Sequence, residues 1–152
     1  MGPGYQALRK GRSSLAGQAY LLTFTTAGRA PHFRDWTVAC DAARLLAGSL
    51  AWRESQLLAW TLMPDHWHGL VELGDGMALA ACVRQLKGAS ARALRQHHPA
   101  LDMVWAPGYH DHALREEEGL LAAARYVIMN PVRAGLVARV GDYPFWDAIW
   151  LK

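Results

Sequence analysis

The apolar pattern of this 152-residue chain predicts an α+β domain, a ferredoxin-like antiparallel sheet with helices on one face. Three observations predict it. Side chains alternate with period two over residues 19–26, 57–63 and 66–73, as strands require. Apolar residues recur at helical spacing over 36–52 and 79–93. The link Met63-Pro64-Asp65 is short enough to make consecutive strands an antiparallel hairpin. With a strand at 109–114 and a last helix, the order is β-α-β-β-α-β-α.

Each element has its own signal. In the first strand Tyr20, Leu22 and Phe24 share one face, and in the first helix Val38, Ala42, Ala43, Leu45 and Leu46 form the apolar stripe. Gly74-Asp75-Gly76 breaks the chain before a helix that turns Leu79, Val83, Leu86, Ala89 and Ala93 inward and its arginines outward. Pro99 and Pro107 bracket a loop. The last helix opens on Glu116, Glu117 and Glu118, which suit the positive end of a helix dipole, and Pro131 is expected to end it at Asn130. There is no internal repeat, low-complexity tract or linker. The whole chain, 1–152, reads as one domain, with 1–18 a basic N-terminal arm and 136–152 a C-terminal tail.

Chemistry concentrates in two places. His66 and His68 fall on the same alternation of the third strand, so both imidazoles point one way and can reach one cation. Two histidines do not close a coordination sphere; a metal held there needs a third protein ligand and keeps open positions for a substrate oxygen. Tyr126 and Asn130 are i and i+4 on the last helix, which stacks a phenol and an amide on one face. A free phenol, with a pKa of about 10, needs a polarised electrophile or a nearby base to act as a nucleophile. Taken singly, these residues suit a surface pair, a half-buried helix tyrosine and a cap. Their joint occurrence points to a metal-assisted tyrosine nucleophile acting on a nucleic acid phosphate.

A net charge of only +3 conceals an uneven distribution. No acid precedes Asp35, whereas Arg9, Lys10, Arg12, Arg29 and Arg34 do; none lies in 77–101, beside Arg84, Lys87, Arg92 and Arg95. Such stretches suit a phosphate-binding surface or a solvated helix face. Of these, Arg9, Lys10, Arg12, Arg84, Lys87 and Arg92, together with Arg133, are the candidate nucleic-acid contacts. Cys40 and Cys82 are isolated, which indicates neither a disulfide framework nor a thiolate zinc site and suits a reducing cytoplasm. The N-terminus has no apolar leader core and no run is long enough to span a membrane, so a soluble, unexported protein is expected. A second His-x-His, His110 and His112, shares the spacing of the first; packing or hydrogen bonding beside the site is its expected role. Trp36, Trp52, Trp60, Trp146 and Trp150 are read as core and tail anchors.

The segments LAWTLMPDHWHGLVEL and ARYVIMNPVRAGLV are specific, and YLLTFTTAGRAPHF, VRQLKGASARAL, GYHDHALREEE and GDYPFWDAIW support them. With them the chain resembles the REP-associated tyrosine transposases, a branch of the HUH single-strand transposases, over nearly its whole length. The resemblance implies the HUH endonuclease fold, metal ligands at His66 and His68 with Mg²⁺ or Mn²⁺ between them, and a nucleophile at Tyr126. It also implies a third ligand four residues on, here Asn130. Trp67 is the apolar middle residue of the pattern. The implied activity is cleavage and rejoining of single-stranded DNA through a 5′-phosphotyrosine, at hairpins such as repetitive extragenic palindromes. It implies a monomer, with a homodimer as the alternative, working in the cytoplasm at the nucleoid. Two other classes stay open: a non-catalytic nucleic-acid-binding module on the same fold, and a metal-dependent phosphoesterase of small substrates. Initiator endonucleases and relaxases share the same motif logic.

Overall fold

Two-sided strands shape this molecule. The computed structural model describes residues 17–115 and 119–151. Strands β1 (Ala19–Thr25), β2 (Gln56–Met63), β3 (His66–Glu72), β4 (His110–Ala113) and β5 (Trp146–Ala148) form one sheet in the order β4-β1-β3-β2-β5. All its neighbours are antiparallel. β2 and β3 meet at Met63 and His66 across the Pro64-Asp65 turn, the expected hairpin. The first four strands carry the ferredoxin-like arrangement. β5 lies in the segment expected as a tail; it pairs Ala148, Asp147 and Trp146 with Ala59, Trp60 and Thr61 and so extends the sheet.

Helices α1 (Trp36–Ala47) and α2 (Leu79–His97) lie on one face. The Asp35 carboxylate caps α1, accepting from the Thr37 and Val38 amides at 3.0 and 3.2 Å. Val38, Ala42 and Leu46 of α1 and Leu79, Val83, Leu86 and Leu94 of α2 form a core with Tyr20, Leu22, Phe24, Leu62, Trp67 and Val71. The expectation of helices on one face holds for these two but not for α3 (Leu120–Ile128), which crosses the other side. There Ala123, Ala124 and Val127 pack on Leu58, Ala59, Leu70 and Ala148. The reason is in the strands: part of their second alternation, Ala19, Leu58, Ala59, Leu70 and Ala148, is apolar as well, and a sheet with apolar surface on both faces needs cover on both. Glu116, Glu117 and Glu118, expected in the first turn of α3, lie outside the described residues.

Of the tryptophans read as anchors, Trp36 is 62% exposed, although it packs on the Phe145 ring. Trp67 and Trp105 are the buried ones. The Trp67 indole stacks on Phe24 and lies across Gly69, where an added Cβ would come within 2.3 Å of the ring. Glycine at 69 is therefore a condition for seating the indole.

Pro131 does not end the helical course. Met129 keeps φ −82° and ψ −1°, and α4 (Asn130–Arg133) follows, with the proline in its first turn, where a helix needs no N–H. The Val127 carbonyl, which would have taken the missing Pro131 N–H, accepts the buried Thr61 hydroxyl at 2.9 Å instead. Thr61→Val keeps the shape and leaves that carbonyl only the Met129 N–H. It is expected to cost about 0.5–1.5 kcal/mol, read as a lower denaturant midpoint. An unchanged midpoint would show that the bond contributes nothing.

Candidate functional site

With Trp67 buried beneath α1 and α2, strand alternation sends His66 and His68 to the opposite face, under α3 and α4. Register then supplies neighbours. His68 pairs with Thr23 on β1 and Thr61 on β2, and Thr23 pairs with His110 on β4. His110, Thr23, His68 and Thr61 thus form one row across the sheet.

Each imidazole has one nitrogen tied and one turned toward the helices. His68 Nδ1 shares a short hydrogen bond with the Thr23 hydroxyl, while its buried Nε2 has no partner among the described residues. Nδ1 of His66 donates to Asp65 at 2.9 Å, and the Asp65 carboxylate is braced by Arg29 Nε at 3.1 Å. His66 Nε2 then carries the lone pair, and the Asn130 amide donates to it at 3.3 Å. Burial, with the charges of His66 and Arg133 behind it, pushes the His68 pKa down to about 4, so the ring is neutral near pH 7 and its lone pair available. For Asp65 burial opposes ionisation, but the His66 hydrogen bond and the Arg29 charge outweigh it and hold the carboxyl below its usual range.

Tyr126 stands beside this pair. Its ring centre is 5.8 Å from that of His68, tilted by 57°, and it is 52% exposed. The Arg133 guanidinium lies 4.0 Å over the phenol ring and donates to the Tyr126 carbonyl at 2.6 Å. The i, i+4 relation therefore survives the proline: Tyr126 reaches His68 while Asn130 reaches His66.

This donor set fits a divalent cation. Both histidines have Nδ1 held by an oxygen, the outer-shell arrangement that orients metal-binding imidazoles, and the partnerless buried Nε2 of His68 is the kind of atom a cation would satisfy. Among the described residues no three His, Cys, Asp or Glu side chains are placed to hold a metal, so a third ligand drawn from them is of another type. A half-turn of the Asn130 amide offers its carbonyl oxygen where its nitrogen now meets His66.

The basic residues divide. Arg9, Lys10 and Arg12 lie outside the described residues. Arg84, Lys87 and Arg92 sit on α2, across the sheet from His66 and His68. The Lys87 ammonium donates to the carbonyls of Ala106 and Gly108, both at 2.7 Å, which makes it a tie between α2 and the following loop. Of the four that are described, Arg133 alone stands at the site. Arg29 and Arg34 border a cleft of about 380 Å³ beside His66, and a second cleft of about 270 Å³ runs from His68 and Tyr126 to His110 and His112. Thr23, Asp65 and Arg29 join the site only through the fold. Asp65 had a signal, its place immediately before His66; Thr23 had none without the register.

Residues 14–129 match the family model described as IS200-like transposases. The chain belongs to the IS200-like transposase family. The matched segment of this transposase-family chain contains His66, His68 and Tyr126 and stops one residue before Asn130. The REP-associated tyrosine transposase of Escherichia coli strain K12 is 29% identical over 94 residues, 61% of this chain and 54% of that protein. The chain thus spans about half the length of that curated relative. Among solved structures, a REP-associated tyrosine transposase bound to a REP hairpin superposes with a TM-score of 0.66 at 22% identity, covering 89% of this chain and 79% of that one. A putative transposase from Deinococcus radiodurans R1 gives 0.58 at 27% identity, with 74% and 88% covered. The first of these supports the fold; the family assignment rests on the sequence match.

Proposed function

We propose that this chain nicks and rejoins single-stranded DNA at hairpins such as repetitive extragenic palindromes, through a 5′-phosphotyrosine on Tyr126 and with Mg²⁺ or Mn²⁺. The observation that carries the reading is the meeting of four side chains: His66 and His68 with one lone pair each toward α3 and α4, Asn130 on the first and Tyr126 beside the second. The named activity and hairpin ligand of the relatives support the substrate class.

His66, His68 and the Asn130 carbonyl oxygen would hold the cation. When bound, it supplies Lewis acidity toward a phosphate diester, withdrawing charge from phosphorus. The protein does the rest. Tyr126 Oη bonds to phosphorus as the P–O3′ bond breaks; the phenol loses its proton and the departing 3′-oxygen gains one. Arg133, 4.0 Å over the ring, stabilises the negative charge that develops on the phenol oxygen. The new phosphotyrosine ester keeps the bond energy, so a 3′-OH can reverse the step without a nucleoside triphosphate. One chain holds both the histidines and the tyrosine, which supports a monomer as the working unit. No described helix is long and apolar enough to cross a membrane, and a cytoplasmic, nucleoid-associated place follows from the substrate.

The test is incubation with end-labelled hairpin oligonucleotides and Mn²⁺, followed by a denaturing gel. A labelled band at the mass of the chain plus DNA is expected. Cleavage without that band would favour a phosphoesterase using water; binding without cleavage would favour a non-catalytic module.

The DNA path is proposed to run over Arg29, Arg34 and Arg133, with Arg84 and Arg92 in reach only of DNA that wraps around the sheet. Three phosphate contacts on a single strand predict that log affinity falls with log salt at a slope of about 2. Fluorescence anisotropy over a salt series measures it, and a salt-insensitive affinity would remove the basic residues from the path.

A further inference from the structure

The sheet carries a second imidazole pair that the chemistry above leaves unused. His110 and His112 lie on β4, an edge strand, and pair with Thr23 and Leu21 of β1. Thr23 pairs in turn with His68, and directly paired residues project from the same face. Both imidazoles therefore stand on the Tyr126 side. With Leu21, Thr23, His68 and Tyr126 they line the open cleft of about 270 Å³. Arg133 covers one face of the Tyr126 ring, so the ring offers the cleft its remaining surface.

The lining selects the ligand. Among the described residues no lysine or arginine borders this cleft, and the nearest guanidinium, that of Arg133, lies over the Tyr126 ring, which gives a phosphate no cationic donor in the lining. Asp111 contributes between the two histidines, but it pairs with Leu22, whose side chain belongs to the opposite core, and alternation sends its carboxylate the same way. What remains is an aliphatic wall at Leu21, flat rings, and imidazole edges that both donate and accept hydrogen bonds. That is the chemistry of a heteroaromatic base, which stacks on rings and is read at its edge. The cleft beyond His66, with Arg29 and Arg34, has the opposite character and suits the backbone.

We propose that the His110–His112 cleft is a nucleobase subsite, which takes the unpaired base of a nucleotide directly flanking the scissile phosphate. The inference rests on the DNA-cleaving reading above. It separates choice from chemistry: the base is held on the β4 side while its phosphate is presented to His66, His68 and Tyr126.

The experiment uses single-stranded oligonucleotides in which the cleavage position has been mapped with the full chain. Each is resynthesised with 2-aminopurine or an abasic site at the nucleotide on either side. On binding, 2-aminopurine at one flank is expected to be quenched, and an abasic site there to weaken binding roughly 5- to 100-fold, the range of one lost stack. His110→Ala with His112→Ala should remove both effects and keep the salt slope. His112→Phe keeps a ring without its hydrogen-bonding edge; it should retain the quenching and lose discrimination among bases, and it carries the test if the double variant unfolds. An abasic penalty of equal size in wild type and the double alanine variant, unaltered discrimination among bases in His112→Phe, or no penalty at either flank would overturn the subsite. If no oligonucleotide is cleaved and no adduct forms, the DNA-cleaving reading fails separately. Quenching of 2-aminopurine scanned along a bound hairpin oligonucleotide still reads the cleft.

Discussion

Tyr126→Phe is expected to abolish strand cleavage and the covalent protein–DNA adduct together, by a factor on the order of 10⁴ or more, while DNA affinity and folding persist. The substitution removes one oxygen from a half-exposed ring and leaves its volume, its contact with His68 and the Arg133 stack in place. Helix propensity changes little. The denaturing gel reads the adduct and anisotropy reads binding. If the Phe variant still cuts DNA, water is the nucleophile and the phosphotyrosine mechanism is wrong. An adduct mapped by mass spectrometry to another tyrosine would keep the chemistry and move the site. Tyr143 is badly suited to that role: burial pushes its phenol up to about 12, and the hydroxyl already donates to the Leu62 carbonyl at 2.6 Å.

His66→Ala and His68→Ala should each eliminate metal-dependent cleavage, since two remaining ligands, one of them a neutral amide, hold a divalent cation poorly. A loss of at least about 100-fold in activity at fixed Mn²⁺ is expected, comparable to or larger than the effect of removing an outer-shell partner. Asn130→Ala should fall between wild type and these variants and recover in part at high Mn²⁺, because an amide oxygen is a weaker ligand than an imidazole. His110→Ala should retain measurable cleavage at reduced efficiency, as a residue of the β4 cleft outside the metal set. Mn²⁺ titrations of the cleavage rate compare all four. If His110→Ala were the dead variant and His66→Ala the active one, the metal would belong to the second His-x-His pair.

Local geometry made the core of the site legible. In HWHGLVE a period of two leaves both imidazoles on one face whatever the strand pairs with, because alternation is a property of extended backbone. The same holds for Tyr126 and Asn130 at helical spacing, and it survived Pro131 because the proline fell in the first turn of a helix rather than the interior of one. The order of strands and helices, and the hairpin at Pro64-Asp65, were readable for the same reason: each depends on residues close in the chain.

What needed the folded chain is everything set by contacts distant in sequence. That α3 covers the second face follows from where Leu58, Leu70 and Ala148 lie once the sheet is assembled, and β5 joins it by pairing with a strand more than eighty residues earlier. The hydroxyl that fixes His68 comes from Thr23, forty-five residues away and opposite it only by register. The placement of the basic residues needed the folded chain for a related reason. A run of basic residues along α2 records composition, whereas the Lys87 ammonium is claimed by two loop carbonyls, and its neighbours face away from Tyr126 because the apolar side of that helix had to meet the other side of the sheet.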